Sequence, residues 1–223
     1  AFLVTAYVEG ADLHERFAGL PRRRQRAISR TFGGHLGALH EAFTFEDYGR
    51  VAVEDGALAA RSADWHEWFD AYGRRAVERL PAAFDAIRGD VHALLAGVPR
   101  DRAPTPRLFP WDFRPGNALV ADERVAAILD WEAPLSAAPA LSVAKAEYLV
   151  ASWYVDDPEP LRSAFVAGYE RRRPYPDVRP AHRAAAIADS AVDSTGTVTN
   201  PRYPELDRDA AVAFHRAALQ DCL

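Results

Sequence analysis

Three polar residues sit where chemistry could be done: Asp112, Asn117 and Asp130, each at the end of an element and beside an apolar run. They belong to two stretches, Trp111-Asp112-Phe113-Arg114-Pro115-Gly116-Asn117 and Ile128-Leu129-Asp130-Trp131-Glu132. A divalent cation such as Mg²⁺ takes oxygen ligands and keeps some waters and phosphate oxygens. The amide oxygen of Asn117 and the carboxylate of Asp130 would supply two such ligands. Asp112, on the same loop as Asn117, is then left to face a nucleophilic hydroxyl. Phosphoryl transfer divides its labour in this way: one carboxylate orients the acceptor while metal ligands hold the triphosphate. Positioning and charge neutralisation do most of that work. An isolated Asp-x-x-x-x-Asn is common, because both residues favour turns. The weight comes from Asp130, which follows a predicted hairpin.

The elements around these residues are legible from periodicity. Residues 1–9 are β-branched and aromatic and predict a strand closed by Gly10. Over 21–43, Ile28, Phe32, Leu36, Leu39 and Phe43 recur at spacings of three and four, which predicts one helix with Pro21 in its first turn. Residues 44–62 read as a loop with a short hairpin at Glu54-Asp55-Gly56. Residues 63–97 are helical, with Asp64 as N-cap, Trp65, Trp68, Phe69 and Tyr72 on one face, and a break at Pro81. Five prolines make 99–117 a loop. Ala118 to Val120 and Val125 to Leu129 predict a hairpin, and helices follow over 141–154, 158–171, 178–191 and 207–221. The fold class is therefore α+β and mainly helical, with a small hairpin holding the polar residues.

Composition narrows the function. The 223 residues are 49% hydrophobic and carry a net charge of −5, which argues against a general nucleic-acid partner. One cysteine, Cys222, excludes an intrachain disulfide and a cysteine-based zinc site. No apolar run approaches the roughly 18 residues of a membrane helix. The chain has no methionine and begins inside an apolar segment, so the expectation is a fragment cut through a domain. The arginine triplets at 22–24 and 171–173 read as solvated helix ends, His40 as a satisfied structural histidine, and the aromatic face of 65–72 as core. Asp156, Asp157 and Glu159 could meet a cationic acceptor or simply cap a helix.

The 111–132 block resembles the aminoglycoside phosphotransferase and choline kinase-like family, whose H-G-D-x-x-x-x-N motif is followed by a hydrophobic-hydrophobic-D-W-E run. The resemblance implies a catalytic Asp112, and Mg²⁺ held by Asn117 and Asp130. Residues 2–13 resemble the family's segment between two lobes, which implies that Thr5 is the gatekeeper and that the Ala6 carbonyl and Val8 amide meet the adenine of ATP. The implied fold is protein-kinase-like: 1–10 a remnant of the N-lobe strand and hinge, 11–223 the C-terminal lobe. The implied activity is ATP-dependent transfer of the γ-phosphate to a hydroxyl of a small molecule, aminoglycoside-, choline- or sugar-amine-like, in the cytoplasm, with no nucleic-acid or membrane partner. The alternative is a non-catalytic remnant that binds a nucleotide or a protein. Three departures stand out. Pro110 and Trp111 replace the family's His and Gly, so the loop needs another brace. Ser142 stands where the family often has Asp. The family's phosphate-gripping lysine has no counterpart, since Lys145, the only lysine, follows the metal ligands. The chain alone is accordingly expected to be inactive.

Overall fold

A computed structural model describes residues 6–100, 102–122 and 124–223. Its elements run in the order β1 (Ala11–Asp12), α1 (Leu13–Phe17), α2 (Arg22–Ala42), β2 (Gly49–Arg50), β3 (Ala52–Glu54), β4 (Ala57–Ala59), α3 (Trp65–Glu78), α4 (Asp85–Ala96) and β5 (Arg107–Phe109). There follow β6 (Ala118–Ala121), β7 (Arg124–Ile128), β8 (Leu135–Ala137), α5 (Pro139–Glu147), α6 (Glu159–Tyr169), α7 (Pro180–Ser190) and α8 (Arg208–Gln220). The fold is α+β and mainly helical. Three small antiparallel sheets order as β1-β6-β7, β2-β8-β5 and β3-β4.

The helices form where the apolar period placed them. In α2 the stripe of Ile28, Phe32 and Leu36 is buried, whereas Phe43 is 37% exposed because the helix stops at Ala42. The Asp64 carboxylate accepts the Glu67 N–H at 2.9 Å and caps α3. Pro81 ends that helical run, and a 3₁₀ turn over Ala82–Phe84 leads into α4. The expected helix 141–154 is α5 continued by a π-helical turn at Tyr148–Ser152.

The tightest packing joins α2 to α6. A Cβ on Gly33 would lie 2.0 Å from the Phe165 carbonyl oxygen, and one on Gly168 would lie 2.0 Å from that of Arg30. Only glycine at both positions lets the two backbones approach so closely. The Ser29 hydroxyl donates to the Leu161 carbonyl at 2.7 Å across the same contact.

Two expectations need correction, and one strand was not foreseen. Residues 6–9 carry no regular structure, and the extended segment begins at Ala11, where β6 offers a partner (Ala11 opposite Val120, Asp12 opposite Leu119). A strand needs a neighbouring ladder, and residues 6–9 have none among the described residues. The proline-rich stretch contains β5, and β8 follows the hairpin; both are three-residue strands held by each other rather than by any pattern of their own.

Candidate active site

The loop from Pro110 to Asn117 is stretched between two fixed points, the end of β5 and the start of β6. Phe113 anchors its middle: it is 3% exposed and meets Phe32 edge-on, with ring centroids 5.0 Å apart. With Phe113 turned inward, its neighbours Asp112 and Arg114 are left only partly buried. A 3₁₀ turn at Pro115–Asn117 closes the loop, and the Leu129 N–H donates to the Asn117 carbonyl at 2.7 Å. That bond sets Leu129 opposite Asn117 and ties the start of β6 to the end of β7, so Asp130 follows one residue beyond the pair.

Within this frame Asn117 and Asp112 are locked together. The Asn117 Nδ2 donates to the Asp112 carbonyl at 2.9 Å and to its Oδ2 at 2.8 Å. The Asn117 Oδ1 accepts no hydrogen bond among the described residues and is left as a free oxygen donor. The Asp130 carboxylate likewise meets no protein donor there. Asp130 adopts φ +61°, a left-handed conformation that costs a non-glycine residue about 1–3 kcal/mol and tends to accumulate at functional sites. A cavity of about 150 Å³ is lined by Asp112 and Asp130 together with Trp111, Trp131, Glu132 and Pro134. An amide oxygen and a carboxylate are donor types that Mg²⁺ takes; Asp130 lines this cavity, and Asn117 stands beside it through Asp112. No three His, Cys, Asp or Glu side chains converge as a ready-made cage among the described residues.

Arg114 is a member of the site that the sequence reading passed over. Its Nε donates to Asp112 Oδ1 at 2.8 Å, and its guanidinium lies 5.6 Å from the Trp153 ring centroid. Burial works against the Arg114 charge, and the Asp112 carboxylate more than restores it, so the group stays firmly cationic. The signal was available in the sequence, since an arginine two residues after a loop aspartate can fold back on it.

The brace for Trp111 comes from Asp189, which no local pattern could have revealed. Trp111 sits at φ +21° immediately before Asp112. Its indole Nε1 donates to Asp189 Oδ2 at 2.7 Å, and the Lys145 Nζ lies 4.3 Å from its ring centroid. Asp189 also accepts from Lys145, from the Tyr72 hydroxyl at 2.7 Å and from Arg79 at 3.1 Å. Burial alone would push the Asp189 carboxyl up. The charge and hydrogen bond of Lys145, then Tyr72 and Arg79, outweigh it and hold the group below the usual carboxylate range. Burial dominates for Lys145, which is 3% exposed, and lowers its ammonium despite Asp189. This lysine is a buried structural cation behind the loop.

Ser142 serves elsewhere. It pairs with His40 Nε2 at 3.0 Å, while His40 Nδ1 pairs with the Tyr169 hydroxyl at 2.7 Å. His40 is thus fully satisfied and buried. Thr5 lies outside the described residues, and Ala6 and Val8 are exposed. A Cβ on Gly10 would come within 2.9 Å of Leu119 Cβ, so this segment runs close against β6. Asp156 is paired with Arg202 at 2.8 Å.

A kinase-like fold carrying a loop aspartate, an asparagine locked to it and a second aspartate across a hairpin defines the class of protein. The sequence profile of the phosphotransferase enzyme family matches residues 1–184, and the chain belongs to that family. Solved structures share the fold. The aminoglycoside phosphotransferase APH(4)-Ia superposes with a TM-score of 0.61 at 15% identity, over 97% of this chain and 69% of that one. A thermostable mutant of it, in ternary complex with ADP and hygromycin B, gives 0.64 at 16% over the same shares. A Ralstonia eutropha JMP134 protein assigned to the aminoglycoside phosphotransferases gives 0.60 at 17%, over 97% of this chain and 71% of that one. A comparison with curated proteins finds no match. No helix among the described residues is long and apolar enough to cross a membrane.

Proposed function

We propose that this phosphotransferase moves the γ-phosphate of ATP to a hydroxyl of a small molecule, with Asp112 as the group that orients the hydroxyl and takes its proton. The observation that carries the reading is the Asp112–Asn117 lock, with Asp112 and Asp130 lining one cavity. Asn117 Oδ1 and Asp130 would hold Mg²⁺, which when bound neutralises charge on the phosphate oxygens. The hydrogen bond from Asn117 Nδ2 fixes the Asp112 carboxylate so that one face stays turned to the acceptor. Arg114 adds a fixed positive charge beside the reacting centre, in a site where such preorganised charge counts for more than in water. The stretch from Thr5 through Ala6 to Val8, ahead of β1, is the proposed adenine-binding segment. The acceptor is a polyhydroxylated or amino-bearing small molecule, a reading supported by the fold neighbour that holds hygromycin B. Dependence on ATP makes the cytoplasm its place of work.

The test is release of ADP and formation of a phosphorylated product from Mg·ATP with an aminocyclitol, an amino sugar and choline offered in turn. Asp112→Asn should slow product formation by roughly 10²- to 10⁴-fold while leaving nucleotide affinity near that of the unmodified protein. A second reading, nucleotide binding without turnover, rests on the Arg114 pair, which occupies Asp112 Oδ1. It is favoured if Mg·ATP binds and no acceptor yields product, with Arg114→Gln making no difference.

A further inference from the structure

A separate cavity of about 390 Å³ lies between α3, the loop ahead of β5, and the N-terminal ends of α5 and α7. It shares no lining residue with the cavity of Asp112 and Asp130. Among its described lining residues Arg102, Arg107, Arg173 and Arg179 are basic and Asp177 is the acid. Asp177 turns outward, with its side chain 84% exposed, and meets Arg179 at 3.4 Å.

Arg107 and Arg173 form no ion pair with a carboxylate among the described residues. Arg173 donates one nitrogen to the His40 carbonyl at 2.8 Å, and Arg107 donates one to the Thr44 hydroxyl. A guanidinium has five N–H donors, so most of each fork is unused, and the Nε of both is buried without a partner. The two charges oppose each other: burial first, then Arg173, pulls the Arg107 guanidinium down.

His182 adds a neutral donor. It is 8% exposed, and its Nδ1 accepts the Arg179 N–H at 3.2 Å, so the neutral ring carries its proton on Nε2. That Nε2–H has no acceptor among the described residues, and the ring lines the cavity. Burial, then the Arg179 charge, keeps the ring neutral by pulling its pKa down to about 4. At the mouth, Ala138 gives α5 no side-chain cap, and Ala140, one of the first-turn N–H donors, borders the space. Trp65, Val98 and Pro99 form apolar walls. The volume falls within the range of small-molecule sites.

We propose that this cavity binds a phosphate monoester with an apolar or aromatic body, its dianion held by the forks of Arg107 and Arg173 and by the His182 Nε2–H. A dianion matches the surplus of positive charge better than a monocarboxylate does, and bidentate arginine contacts suit its oxygens.

Phenyl phosphate is the probe, followed by thermal unfolding and by ¹H–¹⁵N spectra of the unmodified protein. It should raise the melting temperature and shift the amides of Ala140 and Arg179 and the ring of His182. Arg173→Gln should weaken binding about tenfold or more, the loss of one charge-assisted contact, and Arg107→Gln should act in the same sense. Asp130→Asn, at the other cavity, should bind the probe unchanged. The proposal is overturned if phenyl phosphate at millimolar concentration shifts none of these resonances. It is equally overturned if benzyl alcohol binds as well as the phosphate ester, or if Asp130→Asn abolishes the effect. The spectra need no variant, so a substitution that fails to fold does not leave the question open. The outcome is independent of whether the Asp112 site transfers phosphate.

Discussion

Replacing Asp189 with Asn should be among the most damaging single changes available outside the loop itself. The carboxylate is buried, and Lys145 beside it is 3% exposed. Asp189→Asn leaves that ammonium in the interior without its paired carboxylate, and breaking a buried pair in this way costs about 3–5 kcal/mol. For a chain of this size each kcal/mol moves the melting midpoint by roughly 2–4 °C, so a fall of roughly 6–20 °C is expected. Lys145→Met should cost less, because Asp189 keeps Tyr72, Trp111 and Arg79 as donors. The double variant should be little worse than Asp189→Asn alone, since the second change removes the stranded charge. Urea unfolding followed by circular dichroism and tryptophan fluorescence measures all three, and the double-mutant cycle isolates the coupling. Trp111 gives a local signal, because its indole must then compete with Tyr72, Lys145 and Arg79 for the single acceptor oxygen an amide offers. A loss below about 1 kcal/mol for Asp189→Asn, or simple additivity in the cycle, would refute the reasoning.

Further expectations follow from packing and from protonation. Gly33→Ala drives a Cβ into the Phe165 carbonyl at 2.0 Å and should cost about 3 kcal/mol or more in urea unfolding. Gly34→Ala, whose Cβ would stand 3.5 Å from the Gly168 carbonyl oxygen, should be neutral or gain up to about 1 kcal/mol from helix propensity. Acid should destabilise the fold well before its carboxylates protonate. Burial lowers His40 to about 3 and His182 and His215 to about 4, against 6.5 when unfolded. The unfolded chain then binds protons that the native one refuses, so stability is full above pH 6.5 and is lost as pH falls toward 4. Each histidine contributes up to about 1.4 kcal/mol per pH unit in that window. His215→Gln should flatten the slope by about one proton, and an unchanged slope would count against a neutral buried ring.

Much of this architecture was legible because its signals are local. The α2 stripe, the Asp64 cap and the Pro81 break each depend on residues within a few positions, and each reports a period or a backbone restriction. The hairpin of β6 and β7 announced itself by two apolar runs about a polar turn, and with it the spacing of Asn117 and Asp130. What stayed hidden is held by distant partners. β5 and β8 are too short to alternate and exist because they pair with each other. Asp189 reaches the Trp111 loop from α7, across 78 positions of sequence, and nothing in its alanine-rich neighbourhood marks it as an acceptor. The strand expected over 1–9 failed over residues 6–9 for the converse reason: β propensity without a ladder partner does not make a strand. Arg114 was readable but ambiguous, since a loop arginine is as often solvated as folded back.

The measurement that tests the central reading most directly is thermal unfolding of the protein and of Asp130→Asn, each with Mg²⁺ alone, ATP alone and both. Ligand at about 100 times its dissociation constant should add roughly 2.7 kcal/mol, a rise of roughly 5–11 °C at the usual slope for this size. The account predicts that rise only when Mg²⁺ and ATP are present together, and its loss in Asp130→Asn. A rise that ignores Mg²⁺, one that Asp130→Asn retains, or no rise at all would contradict a metal–nucleotide site built on Asn117 and Asp130.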